Sequence, residues 1–236
     1  ISTILFIASI ILLLLVPLIG IEVKGSKRWI DLYLLPRFQP IELVKPFLIV
    51  FLSFILSNKR LGNIYLRYLI SFIVTLFVVF LLALQPDIGQ TLLTLFSWSV
   101  LIFISGISFI FLISLIFILI SSFSYLILFV SKFSYIKSRI LSFFDTETGT
   151  HNFQSDKAIE SIISGGFFGK GIGEGTLKNR VPEAHTDYII SVISEEFGIV
   201  AIILILFLFL VFIHTVFKKV NLENDDRSKL ILVGCI

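Results

Sequence analysis

The sequence predicts an all-α fold, a polytopic bundle of transmembrane helices, and three observations support this class. Hydrophobic residues make up 57% of the 236 residues, and the mean hydropathy is +1.04, far above what a water-soluble core of this size needs. The apolar runs approach the ~20 residues that a helix needs to cross a hydrocarbon layer of about 30 Å. They are too long for the ~10-residue strands of a membrane barrel. We therefore expect the chain to cross a membrane as helices.

Hydropathy places six spans along the chain and the start of a seventh, about seven in all. They are predicted over residues 4–21, 41–56, 64–84, 88–105, 107–130 and 188–214, with the last beginning near residue 230. We expect one integral membrane domain over 1–236, interrupted by one long extracytoplasmic loop over 131–187. Because the sequence starts and stops inside apolar runs and contains no Met, we expect it to be a fragment of a longer protein.

The basic residues of the short loops predict the orientation in the membrane. Loops 57–67 and 217–229 are rich in Lys and Arg and are predicted to be cytoplasmic. Four predicted spans separate them, and an even number of spans places both loops on the same side of the membrane. Segment 24–37 then falls outside although it carries four basic residues, Lys24, Lys27, Arg28 and Arg37. Such a violation of the rule indicates function in this segment.

The stretch "GSKRWIDLYLLPRFQPIELVKP" carries a first group of polar residues, at the start of the second predicted span. Pro40 suits the first turn of a helix, and Glu42 and Lys45 lie three residues apart on one face, where they can pair. Ionisable residues within a span are costly and usually face a protein interior or a wet cavity, which makes the pair a functional candidate. A structural ion pair near the interface, with Arg28 and Trp29 as anchors, is the alternative.

The motif "QPDIGQ" separates two apolar runs and carries Asp87. Asp87 is predicted in the first turn of the following helix, where the helix dipole favours a negative charge. Two interpretations of the motif stay open. Helix capping alone would account for Asp87, and a functional role is the alternative.

A glycine-rich stretch, "SGGFFGKGIGEGTLKNRVPEAHTD", precedes the sixth span. Its spacing matches neither GxGxxG nor GxxxxGK[ST], and no strand pattern precedes it, which argues against a nucleotide-binding fold. Lys170, Lys178 and Arg180 are available to a lipid phosphate, whereas a solvated glycine-rich loop is the alternative. The three His residues lack zinc spacing and Cys235 is the only Cys, so neither a metal site nor an internal disulfide is predicted.

Five short stretches, in one order along nearly the whole chain, resemble the SEDS family of shape, elongation, division and sporulation proteins. They are "GSKRWID", "QPIELVK", "QPDIGQT", "SGGFFGKGIGEG" and "PEAHTDYIISVISEEFG". "PEAHTD" is more similar to the division branch than to the elongation branch, in which Arg tends to replace Ala184. Val181 and Tyr188 depart from the Leu and Phe that the family often has there. The resemblance implies about ten spans in an intact protein.

The resemblance also implies a peptidoglycan glycosyltransferase that polymerises lipid II at the outer face of the bacterial inner membrane. Its implied partners are a penicillin-binding transpeptidase and other division proteins. The reaction needs a base for the attacking sugar hydroxyl and cations for the departing undecaprenyl pyrophosphate. Asp187 is the expected catalytic carboxylate by motif match, and the expected substrate-binding residues are Arg28, Glu42, Lys45, Lys178, Arg180 and His185. No nucleic acid partner is expected, and a divalent cation is the one cofactor left open.

Glu195 and Glu196 lie deeper in the sixth predicted span, and at least one of them is expected to point inward. Hydrogen bonding that packs this span against its neighbours is favoured over a catalytic role. Two other functions stay open at this point. A lipid II flippase would need no base, and a noncatalytic division scaffold would need none of these polar groups.

Overall fold

The computed structural model describes residues 2–23, 26–31, 37–85, 87–129, 153–176 and 188–236. These residues form eight α-helices, one β-hairpin and a single 3-10 turn at Lys59–Leu61. The helices and strands, in chain order, are α1 (Ser2–Ile19), β1 (Ile21–Val23), β2 (Ser26–Trp29), α2 (Pro40–Ser57), α3 (Ile64–Leu84), α4 (Ile88–Ile104), α5 (Phe109–Phe129), α6 (Phe153–Gly165), α7 (Ile189–Leu222) and α8 (Asp226–Gly234).

The helices confirm the predicted all-helical membrane class. Within the described residues, α1, α2, α3 and α7 are long and apolar enough to cross a membrane, and α4 and the Phe109–Ser122 part of α5 are shorter apolar segments. The number of spans stays a prediction. The sixth span was expected to end at residue 214, but α7 continues to Leu222, because a helix does not have to stop where its side chains become polar.

The chain divides into two compact units. The first contains Ile1–Ser114 and Thr215–Ile236, and the second contains Leu115–His214. Helix α5 begins in the first unit and ends in the second, and α7 returns the chain to the first. The expectation of one integral membrane domain over 1–236 stays a prediction.

Helix α2 is central to the first unit and packs against α1, α3, α4 and α8. The rings of Phe6 on α1 and Phe51 on α2 stack with their centroids 4.6 Å apart. The core consists of large apolar side chains that are almost completely buried, among them Leu13, Val16, Val44, Leu52, Val78, Leu82, Trp98 and Leu101. Each of these four neighbouring helices therefore holds one face of α2.

Buried polar side chains in the first unit find partners within the helices. Ser53 Oγ donates to the carbonyl of Ile49 at 2.7 Å, and Thr75 Oγ1 donates to that of Ser71 at 2.9 Å. Trp98 Nε1 donates to Ser71 Oγ at 3.3 Å. A membrane interior offers no water to such groups, so these bonds let α2, α3 and α4 bury polar atoms without large cost.

A small antiparallel hairpin follows α1, and the sequence analysis did not predict it. Ile21 pairs with Trp29, and an isolated bridge joins Ile30 to Phe38. Strands of three and four residues are too short to leave a clear alternating pattern in the sequence. The pairing of the strands places Arg28 on β2, within residues 26–31 of the "GSKRWID" stretch, the part of it that the structure describes.

The two basic loops predicted on one side lie at the same end of the first unit. Arg67 Nη1, at the start of α3, donates to the carbonyl of Leu56 at 2.6 Å, near the end of α2. Arg227, at the start of α8, lies over the ring of Phe54 at 5.3 Å. Pro40, the first residue of α2, is at the opposite end of that helix. Both basic loops therefore lie near the same end of α2, as the parity argument expects, while the number of spans and the membrane face of each end stay predictions.

Candidate functional site

Two of the motif stretches meet in the first unit through Arg28 and Asp87. Arg28 Nε lies 3.6 Å from Asp87 Oδ2, and the side chains are 30% and 8% exposed. Asp87 also caps α4, where its Oδ1 accepts a hydrogen bond from Gln90 N at 3.3 Å. The predicted capping role is thus confirmed. Capping alone does not account for Asp87, however, because its other carboxylate oxygen faces the Arg28 cation.

A second ion pair joins this group through Gln90. Lys45 Nζ lies 2.7 Å from Glu42 Oε2, so the predicted pairing is confirmed. Gln90 Nε2 donates to Glu42 Oε1 at 3.0 Å. The pair lies in the first two turns of α2, and the Glu42 side chain is 53% exposed. It therefore belongs to the end of the helix rather than to a fully buried interior.

Arg28, Asp87, Gln90, Glu42 and Lys45 form one connected set, here called the polar network. It contains two cations, two carboxylates and one bridging amide. The carboxylates hold the cations in position. A guanidinium, with five N–H donors, and an ammonium, with three, each suit the oxygens of a phosphate group. The arrangement is thus chemically able to receive an anionic group, with Arg28 and Lys45 as the cations.

The carboxylates of Asp31 and Asp87 account in part for the basic segment that violated the orientation rule. Arg28 faces Asp87, and Arg37 Nε lies 3.1 Å from Asp31 Oδ2. Two of the four cations of segment 24–37 therefore have carboxylate partners, which offset part of their positive charge. Lys24 lies outside the described residues.

In the second unit, the glycine-rich stretch is built around the buried carboxylate of Glu195. This side chain is 0% exposed. Its Oε1 accepts from Lys170 Nζ at 3.2 Å and from Thr176 N at 2.9 Å, and its Oε2 accepts from Ser161 Oγ at 3.2 Å. The prediction that one glutamate points inward and packs its helix is confirmed. Lys170, which the sequence made available to a lipid phosphate, pairs its ammonium with this carboxylate.

Helix α7 is kinked at Gly198, and the glycine loop, residues 166–176, supplies partners for the interrupted backbone. Gly198 has φ 77° and ψ −179°, outside the helical region. The carbonyls of Glu195 and Glu196 accept from Lys170 N at 2.9 Å and Gly171 N at 3.0 Å. Ile199 N donates to the carbonyl of Gly166 at 3.0 Å, so donors and acceptors freed by the kink are satisfied on both sides.

The close approach of these two backbones requires glycine. A Cβ added at Gly169 would lie 2.2 Å from the carbonyl oxygen of Glu196, and one at Gly198 would lie 2.2 Å from that of Phe167. Both residues also have positive φ. The glycines in these positions serve packing, and sequence reasoning missed this because it searched the stretch for phosphate-binding spacing.

Four of the predicted site residues, Lys178, Arg180, His185 and Asp187, lie outside the described residues. Their roles stay predictions. Within the described ranges, no group of three His, Cys, Asp or Glu side chains is placed to hold a metal ion. No role was expected for Gln90. Its position three residues after Asp87, the N-cap of α4, would have placed both residues on one face of the helix.

Comparison with known proteins decides the family. The family model described as cell cycle protein, FtsW/RodA/SpoVE, matches residues 1–236. The chain belongs to this family. The resemblance read from the five motif stretches is therefore confirmed, and FtsW proteins are among the relatives that it matches.

Relatives of both the FtsW and the MrdB type are similar to this FtsW/RodA/SpoVE chain. A probable peptidoglycan glycosyltransferase FtsW from Caulobacter vibrioides is 30% identical over 97% of the chain and 57% of the relative. The peptidoglycan glycosyltransferase MrdB from Escherichia coli is 35% identical over 89% of the chain and 57% of the relative. The chain thus spans less than two thirds of the length of these relatives.

A solved structure shares the fold. It describes how a peptidoglycan synthase complex coordinates polymerization and crosslinking, and it matches 99% of the chain and 65% of its own chain with a TM-score of 0.73 and 28% identity. The helical architecture of this FtsW/RodA/SpoVE chain is therefore similar to that of a chain in this peptidoglycan synthase complex.

Proposed function

We propose that the protein is a peptidoglycan glycosyltransferase that polymerises lipid II during septal cell-wall synthesis. The observation that carries the proposal is the polar network, in which three motif stretches of the family bring two cations and two carboxylates together. The names of the similar FtsW and MrdB proteins support the same activity.

The proposed chemistry divides between the network and the loop that precedes α7. Arg28 and Lys45 stabilise the negative charge that develops on the departing pyrophosphate, and Asp87 and Glu42 keep them in position. Asp187 removes the proton from the attacking sugar hydroxyl. Lys178, Arg180 and His185 contribute further donors for the anionic substrate. Each step uses side chains, so a divalent cation is an addition to the proposal rather than a requirement.

The proposed setting is the bacterial inner membrane, with the reactive side facing the periplasm. Loop 57–67 is cytoplasmic by its basic residues, and the polar network lies at the other end of α2. The proposed partner is a penicillin-binding transpeptidase, by analogy with the similar synthase complex that couples polymerization and crosslinking. Other division proteins would join this pair at the septum.

The proposal is tested with the intact protein, its transpeptidase partner and purified lipid II. Asp187→Asn keeps the size of the side chain but cannot accept the proton. Since a general base is worth about 100- to 10,000-fold in rate, we expect a loss of that order in glycan polymer, with normal membrane abundance and partner binding. Asp156→Asn, which changes an exposed carboxylate on α6, is the matched control and should polymerise normally.

Other outcomes separate the rival functions. Full polymerisation by the Asp187→Asn protein would remove the base assignment. Transport of lipid II across vesicles without any polymer, in the unaltered protein, would establish the flippase instead. The absence of both activities would favour a scaffold. A purely capping role of Asp87 would predict a mild effect of Asp87→Asn. This variant is not a neutral control, because Asp87 also faces Arg28.

A further inference from the structure

Four large apolar side chains are exposed at the end of α6 and on the glycine loop, a segment that is not a membrane span. Ile163 at the end of α6 is 73% exposed, and Phe167, Phe168 and Ile172 on the glycine loop are 75%, 85% and 79% exposed. We call these four residues the loop patch. Exposed apolar side chains on α1, α3 or α7 are accounted for by the surrounding lipid, whereas a loop in water would not carry such a patch without a binding role.

The backbone contacts of the loop fix where the patch lies along α7. Val200 N donates to the carbonyl of Phe167 at 3.4 Å, and Gly171 N donates to the carbonyl of Glu196 at 3.0 Å. The glycine loop is therefore bound to α7 on both sides of the kink at Gly198. This places it where α7 changes from a charged first part to an apolar second part.

The length of the apolar part of α7 matches the thickness of the hydrocarbon layer of a membrane. From Ile199 to Phe217 the helix contains no Asp, Glu, Lys or Arg, and Lys218 and Lys219 follow at once. At ~1.5 Å per residue this stretch is about 28 Å long, close to the roughly 30 Å hydrocarbon thickness. With the lysines at the far boundary, Ile199 lies at the near boundary, and the loop patch lies at the same level.

We propose that the loop patch is a membrane anchor, which inserts into the interface of the leaflet that surrounds the charged end of α7. Apolar groups of such anchors enter the boundary between headgroups and acyl chains to a depth of about 5–10 Å. Part of the loop backbone needs no water there, since Lys170 N, Gly171 N and the carbonyls of Gly166 and Phe167 bond to α7. The exposed carboxylates of Asp156 and Glu160, one to two turns before Ile163, keep the start of α6 in water.

This inference rests on the chain spanning a membrane and is independent of the proposed enzyme activity. A membrane anchor differs from a docking site for the transpeptidase in one respect. It is buried in lipid when the protein is alone in a bilayer. A docking site is accessible to water until the partner is added.

The test uses the intact protein in phospholipid vesicles, with single cysteines in a Cys235→Ser background labelled by an environment-sensitive fluorophore. Phe168→Cys probes the patch. Glu174→Cys, an exposed polar position on the same loop, is the matched control. A lipid with a nitroxide near the top of its acyl chain should quench the label at residue 168 roughly twofold more than the label at residue 174, given the expected insertion depth. Aqueous iodide should show the opposite order.

Equal quenching by iodide at the two positions would overturn the proposal. So would iodide protection at residue 168 that arises only when the transpeptidase is added, because that result identifies a protein partner. If Phe168→Cys fails to fold, Ile172→Cys provides the same comparison. The unaltered protein gives a further check, in vesicles that contain a photoactivatable lipid. We expect lipid adducts on the peptide that contains residues 166–172, and their absence would contradict the anchor.

Discussion

Arg28 on β2 and Asp87 at the start of α4 form an ion pair, with Nε and Oδ2 3.6 Å apart. The pair joins two stretches that are far apart in sequence, and the same carboxyl group caps α4 through Gln90 N. Because Gln90 in turn holds Glu42, the hairpin, α2 and α4 share one set of polar contacts. A change at Asp87 should therefore be felt at both cations of the network.

The first prediction separates the two roles of Asp87. Asp87→Asn keeps an oxygen that can cap α4, since Asn is as good a cap as Asp, but it removes the charge that faces Arg28. We expect the free energy of unfolding to fall by about 1–3 kcal/mol, the cost of leaving a buried polar group without its partner. We also expect a strong loss of lipid II polymerisation. Thermal unfolding in detergent and a polymerisation assay measure the two effects.

The double variant Arg28→Gln with Asp87→Asn is the control for the first prediction. If the ion pair is responsible, the double variant should regain part of the stability lost by Asp87→Asn, because no charge is left without its partner. Strictly additive losses would show that the two side chains do not interact. Stability regained without activity would assign the cation of Arg28 to the substrate.

The second prediction concerns Glu42 and Lys45, whose pairing was expected from their spacing. A fully buried pair would cost about 3–5 kcal/mol when one partner is removed. Here Glu42 is 53% exposed, so solvent screens the interaction. We expect a coupling free energy of about 0.3–1 kcal/mol from the cycle of Glu42→Ala, Lys45→Ala and the double variant. A coupling of several kcal/mol would mean that the pair is buried in the membrane-embedded protein.

The third prediction uses three glycines with similar, positive φ values. Gly169, Gly173 and Gly198 have φ values of 77°, 83° and 77°, a region in which alanine is strained at a cost of about 1–3 kcal/mol at each position. At Gly173 an added Cβ meets no atom within 4 Å, whereas at the other two it meets a carbonyl oxygen at 2.2 Å. We expect Gly169→Ala and Gly198→Ala to lose a further 1–3 kcal/mol or more in unfolding experiments.

Gly173→Ala is the built-in control for this series, and Gly89→Ala is a second one. Gly89 lies inside α4 with open space around an added Cβ, so alanine there should stabilise the protein by about 0.5–1 kcal/mol. Similar losses at Gly169, Gly173 and Gly198 would mean that the glycine loop does not pack against α7 as described.

The sequence predicted the helices well because hydropathy depends on local composition alone. The first five predicted spans agree with α1 to α5 within two residues at nearly every end, and the pairing of Glu42 with Lys45 followed from helical spacing. The contact between Arg28 and Asp87 could not be predicted in this way, because it depends on how β2 and α4 pack. The kink at Gly198 was hidden for a similar reason. A glycine in an apolar run leaves the hydropathy unchanged, and its φ is set by the glycine loop.

The last prediction tests the buried carboxylate of Glu195. Glu195→Gln keeps an oxygen that can accept from Thr176 N, and the hydroxyl of Ser161 can rotate to accept from the new amide. The loss is then the charge opposite Lys170, whose side chain is 36% exposed, and we expect a cost of about 1–2 kcal/mol. Glu195→Ala removes every contact and leaves a cavity, with an expected cost of about 3–5 kcal/mol.

The measurement is hydrogen exchange of the peptide that contains Thr176. Exchange should rise strongly in the alanine variant and little in the glutamine variant. Glu174→Gln, at an exposed position of the same loop, should change neither stability nor exchange. Equal exchange in all three variants would show that the loop is held by its backbone bonds to α7 alone, without help from the Glu195 side chain.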